Sequence, residues 1–237
     1  SFDRVIAISK TVEKYVNENY ERYLKKPPRL IYRGSDEKYF SNSFVPSESY
    51  KDNFFKQFTN LKNQKIITFP GRLSSWKGQE SFIKLMSDLP DDYSGLIVGP
   101  YKSAKPKYLN SLKKLIEDYR LQNKVHFYNA KDDIREIYYL SELVLNLSSK
   151  PEPFGRTILE AAMMGKKIAG WDRGGPGEVL DMCFPQGKVE FNKFNSLVET
   201  VKNLSESEDI PSNIFLTSDL MHSKTIGFYL DAIDKNS

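Results

Sequence analysis

"LVLNLSSKPEPFGRTILEAAMMGKKIAGW", residues 143 to 171, holds a strand, a helix and a second strand in 29 residues. The runs "LVLNL" (143–147) and "KIAGW" (167–171) are short, apolar and continuous, the pattern of strands covered on both faces. Between them, Pro151 and Pro153 keep Glu152 out of a helix, because proline lacks an N–H and disfavours helical geometry in the residue before it. From Gly155 the pattern turns helical, with Ile158, Leu159 and Ala162 as an apolar stripe and Gly165 as a C-terminal stop. The unpaired N–H groups of that first turn belong to Arg156, Thr157 and Ile158. A helix start of this kind attracts anions, phosphate above all.

The same alternation extends in both directions. Further strands are expected at "KIITF" (65–69), "GLIVG" (95–99), "KVHFY" (124–128) and "KVEF" (188–191). Helical stretches are expected at 78–88, 105–121, 132–141, 155–164 and 193–204. This predicts an α/β domain with a doubly wound, Rossmann-like parallel sheet over residues 64–216. A last helix, capped by Ser218, is expected within 217–237, with Leu220, Ile226, Leu230 and Ile233 among its apolar positions. Residues 1–63 are less regular, and 32–53 read as loop and linker. The chain opens on "VIAI" without a methionine and reads as a piece of something longer.

Bulk properties narrow the function. Hydrophobic residues make up 39% of the 237 and aromatics 13%, enough for a real core. The net charge of +4 is mild, and no dense basic stripe with interleaved aromatics points to nucleic acid. The one basic cluster, "RYLKKPPRLIYR" (22–33), reads as a solvated linker, with a membrane-facing or anionic-substrate role as the alternative. A single cysteine, Cys183, rules out an internal disulfide and suits a reducing compartment. With no spanning apolar run and no signal peptide, the expectation is a soluble, cytoplasmic protein.

In doubly wound sheets ligands bind beyond the carboxyl ends of the strands. The dinucleotide fingerprint G-x-G-x-x-G is absent, which disfavours a nicotinamide dehydrogenase. Three other loops leave that edge. "FPGRLSSWKGQE" (69–80) supplies Gly71, Arg72 and Lys77, a forked donor and a compact point charge suited to two phosphates. "SSKPEPFGRTILE" (148–160) supplies the helix start. "WDRGGPGEVL" (171–180) reads as a flexible strand-to-helix turn ending in Glu178, which either contacts a ligand or caps a helix. Each loop alone is ordinary; all three at one edge make a site. His126 and His222 have no ligand partners in the pattern, and no acidic or His cluster has metal-ligand spacing, so no metal is expected. Phe154 and Trp171 read as packing residues.

The order Gly-Arg…Lys-Gly, Glu-x-Phe-Gly-x-x-x-x-Glu-Ala, Gly-Gly-x-x-Glu resembles the C-terminal, donor-binding domain of retaining GT-B glycosyltransferases. That group contains glycogen and sucrose synthases and many lipopolysaccharide and capsule sugar transferases, and the bacterial cell-surface transferases are the nearest in pattern. "DRVIAISKTVEKYV" resembles the end of the family's N-terminal half and "RLIYRGSDEKYF" the entry to its second domain. The resemblance implies that residues 1–63 close the N-terminal half and form the interdomain linker. It implies a UDP- or GDP-sugar donor as substrate and no cofactor. Arg72 and Lys77 would bind the pyrophosphate, helped by Gly71 and by the backbone N–H groups at Gly155, Arg156 and Thr157. Glu160 would accept from the ribose hydroxyls and Glu152 would contact the donor sugar, making Glu152, Arg72 and Lys77 the catalytic set. The base would lie near Tyr128, Asn129, Ala130 and Ile134.

Negative charge grows on the leaving pyrophosphate, so fixed positive groups aimed there stabilise the transition state most, and can stand in for a divalent ion. Glycine at 155 keeps a side chain away from those phosphate-binding N–H groups. The expected partners are the donor, a saccharide or lipid-linked acceptor, and a missing N-terminal acceptor domain. The parent protein would work in the cytoplasm, at the inner face of the membrane if it associates peripherally. Two other readings stay open: a sugar-nucleotide-binding module without transfer, and an epimerase or phosphorylase on the same fold.

Overall fold

The six apolar runs form a single parallel sheet. The computed structural model describes residues 4–129, 133–212 and 214–234. Its strands are β3 (Lys65–Pro70), β4 (Tyr93–Val98), β5 (Val125–Tyr128), β6 (Leu143–Asn146), β7 (Lys167–Trp171) and β8 (Lys188–Val189), after β1 (Ile6–Ala7) and β2 (Arg29–Leu30) earlier in the chain. The large sheet runs β5-β4-β3-β6-β7-β8, all parallel. Strand order reverses between β3 and β6, which share only the pairs Ile67↔Leu143 and Thr68↔Val144. Such a reversal is where this topology places a ligand crevice, at the carboxyl edge.

Alternation along the central strands fills two layers. Ile67, Phe69 and Ile97 face a core with Phe82, Ile83 and Met86 of α3 (Gln79–Asp88) and Leu112 and Ile116 of α4 (Pro106–Asp118). Ile66, Leu96 and Val98 face the other way, onto Phe54, Phe58, Leu61 and Ile137. This second layer corrects the reading of 32–53 as loop and linker. Glu48–Gln57 is a helix, α2 after α1 (Lys10–Tyr20), capped by Ser47, whose hydroxyl accepts from Tyr50 N. Its aromatic stripe Tyr50, Phe54, Phe58 has helical spacing, and burying it against β3 and β4 offsets the polar composition around it. The one polar side chain inside β3, Thr68, is paired: its hydroxyl lies 2.6 Å from that of Ser141, which donates to Ile137 O at 2.7 Å.

The remaining helices are α5 (Ile134–Leu140), α6 (Arg156–Met163), α7 (Gly174–Cys183), α8 (Phe194–Glu206) and α9 (Ser218–Asp234). α7 corrects the reading of 171–180 as a turn, because the helix starts at Gly174 and Glu178 lies within it. β1 and β2 make a separate two-stranded parallel sheet. Ser35 N donates to Leu216 O at 3.0 Å and Ser218 N to Ser35 O at 2.8 Å, so the segment after β2 is tied to the start of α9. The cap of α9 is Thr217 rather than Ser218: Thr217 Oγ1 accepts from Leu220 N at 3.2 Å. Leu220, Ile226, Leu230 and Ile233 of α9 are exposed. Among the described residues no helix is long and apolar enough to cross a membrane.

Candidate functional site

Lys77 and Glu152 meet across the crevice. Lys77 ends the loop after β3, Glu152 sits in the loop after β6, and Lys77 Nζ lies 2.6 Å from Glu152 Oε2. The Lys77 and Glu152 side chains are 18% and 12% exposed, so the pair is largely shielded while still opening to solvent. Backbone stitching holds the two loops together: Ser149 N donates to Trp76 O at 2.8 Å, and the Ser148 hydroxyl reaches Lys77 O at 3.4 Å. Gly78, with φ of 97°, makes the approach possible, since a Cβ there would overlap the carbonyl of Leu147. The Lys77 ammonium also lies 4.6 Å from the centre of the Trp76 ring, a cation–π contact.

Gly71 and Arg72 leave β3 on the same edge. Arg72 has an exposed side chain, and its carbonyl accepts from the buried Gln79 amide at 3.0 Å. Tyr108 donates to the other end of that amide at 3.2 Å, which fixes the turn into α3. The first turn of α6 begins at Arg156 after Gly155, with no side-chain cap, so the first N–H groups of the helix have no side-chain acceptor at the cap. Packing supplies a reason for glycine at 155 beside the one read in the sequence. A Cβ would lie 2.8 Å from Pro176 Cα, so the residue is small to let α6 pack on α7.

Glu160, one turn into α6, is 6% exposed. Arg156 Nε lies 3.1 Å from its Oε1, and the fully buried Tyr138 donates to its Oε2 at 3.3 Å. Burial pushes the Glu160 carboxyl above the usual carboxylate range, against the pull of Arg156 and Tyr138.

Tyr128, Asn129 and Ile134 lie at the same carboxyl edge, two strands away from β3. The Tyr128 ring is used in packing, 5.8 Å from Phe54 and 6.0 Å from Phe58, and its carbonyl accepts from Gly99 N. Ile134 packs against both core layers. Ala130 lies outside the described residues. Arg135, next to Ile134, stacks on Tyr39 and Phe44 and pairs with Asp133, the cap of α5. That clasp ties residues 39–44 to the edge.

Glu178 takes the capping alternative. Its carboxylate accepts from Lys10 N at 2.8 Å and from Thr11 N and Oγ1 at 2.7 Å, closing the N-terminus of α1, and from Tyr32 OH at 3.0 Å. Phe154 and Trp171 are buried packing residues, as read. His126 is packed against Phe58 and lies 2.9 Å from the Asn60 amide. Two polar residues went unread: Asn146 and Ser148 both bond Glu152. The signal was available, because an asparagine inside the buried run "LVLNL" needs a partner.

Residues 51–215 match the family model described as glycosyl transferases group 1. The chain belongs to this family. An uncharacterized glycosyltransferase of Methanocaldococcus jannaschii is 32% identical over 183 residues, covering 75% of this chain and 43% of that protein. A glycosyltransferase from Rickettsia africae is 26% identical with a TM-score of 0.84, covering 99% of this chain and 64% of that one. Anabaena HepE, solved in complex with UDP and glucose, is 25% identical with a TM-score of 0.74, covering 86% and 54%. This group 1 family member thus has GT-B glycosyltransferases as structural neighbours. The chain spans about half the length of the curated relatives it matches. The structure brings Lys77 to Glu152 and Arg156 to Glu160, while Gly71 and Arg72 leave β3 in the loop that carries Lys77.

Proposed function

We propose that this chain is the C-terminal, donor-binding half of a retaining GT-B glycosyltransferase that moves a hexosyl group from a UDP- or GDP-sugar to a saccharide or lipid-linked acceptor. The observation that carries the reading is the Lys77–Glu152 junction at the strand-order reversal, beside the uncapped start of α6. Arg72, Lys77 and the N–H groups of Arg156 and Thr157 form the pyrophosphate cradle, and Lys77 exchanges part of its hold on Glu152 for phosphate. Charge developing on the leaving diphosphate meets cations and dipoles already in place, which lowers the barrier without a divalent ion. Glu160, deep behind Arg156, takes the ribose. Glu152 takes the sugar hydroxyls. The base lies over Asn129 and Ile134 against backbone, since the Tyr128 side chain is engaged. HepE, bound to UDP and glucose in its crystal structure, supports the choice of ligand.

Transfer belongs to the parent protein. The acceptor needs a second wall to align its hydroxyl with the anomeric carbon, so this chain alone binds donor and does not turn it over. The exposed apolar residues of α9 support a neighbouring half on that side. The parent would act in cell-surface polysaccharide synthesis, in the cytoplasm at the inner face of the membrane. A thermal-shift panel of UDP-, GDP- and ADP-sugars tests the core of the proposal. Ligand at about 100 times its Kd should add roughly 2.7 kcal/mol of apparent stability. No shift with any of them would remove it.

A further inference from the structure

Glu152 is held from behind by two residues that donor binding leaves without a role. Asn146, the last residue of β6, and Ser148 are 8% and 5% exposed. Asn146 Nδ2 donates to Glu152 Oε1 at 2.9 Å, and the Ser148 hydroxyl bonds the same oxygen. The amide cannot turn over freely, because its Oδ1 accepts from Ser148 N at 3.1 Å. Lys77 meets the other oxygen, Oε2. A carboxylate has roughly four acceptor sites on its two oxygens. Oε1 is therefore filled by two neutral protein donors, while Oε2 keeps a site beyond Lys77.

We infer that Asn146 and Ser148 are positioning residues for the donor sugar: they clamp Oε1 so that Oε2 points at the sugar hydroxyls. This rests on the function proposed above. Neutral donors suit the task for two reasons. They compete neither with Lys77 nor with the pyrophosphate, as a cation would compete for either. They also leave Glu152 hydrogen-bonded when Lys77 turns to the phosphate, where an orphaned carboxylate in a shielded crevice would be costly. Asn146 ends β6 and Ser148 follows two residues later, its N–H held by the Asn146 side chain, so the clamp is anchored to the sheet.

The test compares UDP with UDP-glucose, and GDP with GDP-mannose as a second pair, by calorimetry on the whole 237-residue chain. The readout is the ratio of sugar-nucleotide to bare-diphosphate affinity. A residue that only supports the fold changes both ligands together and leaves the ratio alone. Glu152→Ala should abolish the preference for the sugar nucleotide. Asn146→Ala and Ser148→Ala should each lower the ratio by roughly threefold to tenfold, the scale of one hydrogen bond. Ser148→Thr keeps the hydroxyl and should keep the ratio, and Asn146→Asp, nearly isosteric but without the donor, should lose it. If Glu152→Ala abolishes the preference while the Asn146 and Ser148 variants keep it, the inference falls and the function stands. Equal loss for both ligands in those variants also overturns it. If the unmodified chain binds none of the four ligands, the function falls and takes the inference with it.

Discussion

Replacing Lys77 with methionine measures the contact on which the crevice is built. Methionine keeps much of the stem packing against Trp76 and removes the charge 2.6 Å from Glu152 Oε2. At an effective dielectric of about 20, two unit charges at that distance attract by ~6 kcal/mol. Desolvating both ions offsets most of this, and removing one partner of a fully buried pair costs about 3–5 kcal/mol. Here the carboxylate retains Asn146 and Ser148 and some solvent, so the expected loss of stability is roughly 1.5–3 kcal/mol. Urea unfolding of the wild type, Lys77→Met, Glu152→Gln and the double variant closes a cycle that isolates the pair. Its coupling should be about 1–2 kcal/mol and should largely survive a rise from roughly 0.1 M to 1 M salt, because shielded pairs are screened little. A coupling below about 0.5 kcal/mol, or one that disappears in salt, would mean an ordinary surface ion pair. The shielded crevice would then be refuted.

Three further outcomes are expected. Arg72→Ala should weaken binding of a nucleoside diphosphate by roughly 1–3 kcal/mol, the loss of a charge-assisted contact, and calorimetry showing no change would remove Arg72 from the cradle. Glu160, whose folded pKa is raised by burial, contributes stability that is fully present below the unfolded value of about 4.3 and lost as pH rises through the folded value. The stability of the wild type minus that of Glu160→Gln should therefore decline with rising pH over that window, and a flat difference in urea titrations would contradict its buried setting. Donor binding should persist in chelator; a tenfold gain on adding magnesium or manganese, about 1.4 kcal/mol, would count against a cradle built from Arg72, Lys77 and a helix start.

Much of the sheet was legible because its strands are buried on both faces, and continuous runs such as "KIITF" and "GLIVG" leave little choice of period. The loops around Lys77 and Glu152 were legible because glycines and prolines punctuate them. α7 was not, since Gly174, Gly175 and Gly177 look like a turn until the chain beside them is known. Gly175 N donates to Glu152 O, and a side chain at Gly175 would run into Phe154, so tertiary packing overrides weak helix propensity there. α2 was hidden by polar neighbours that outweigh its aromatic stripe in a local reading. The Arg135–Tyr39 clasp spans 96 residues, while Asn146 and Ser148 lie four to six residues from Glu152, where a buried asparagine signals a partner without naming it. The partner of Glu178 is 168 residues away at Lys10, beyond any local pattern.

The central claim is that a nucleoside diphosphate sits in the crevice between the loops after β3 and β6. An amide NMR titration of the chain with UDP and with GDP locates the ligand residue by residue. The account predicts that the largest perturbations fall on Gly71 to Gly78 and on Gly155 to Ile158, with a smaller set at Asn129 and Ile134. Perturbations centred elsewhere, or none with either nucleotide, would contradict it.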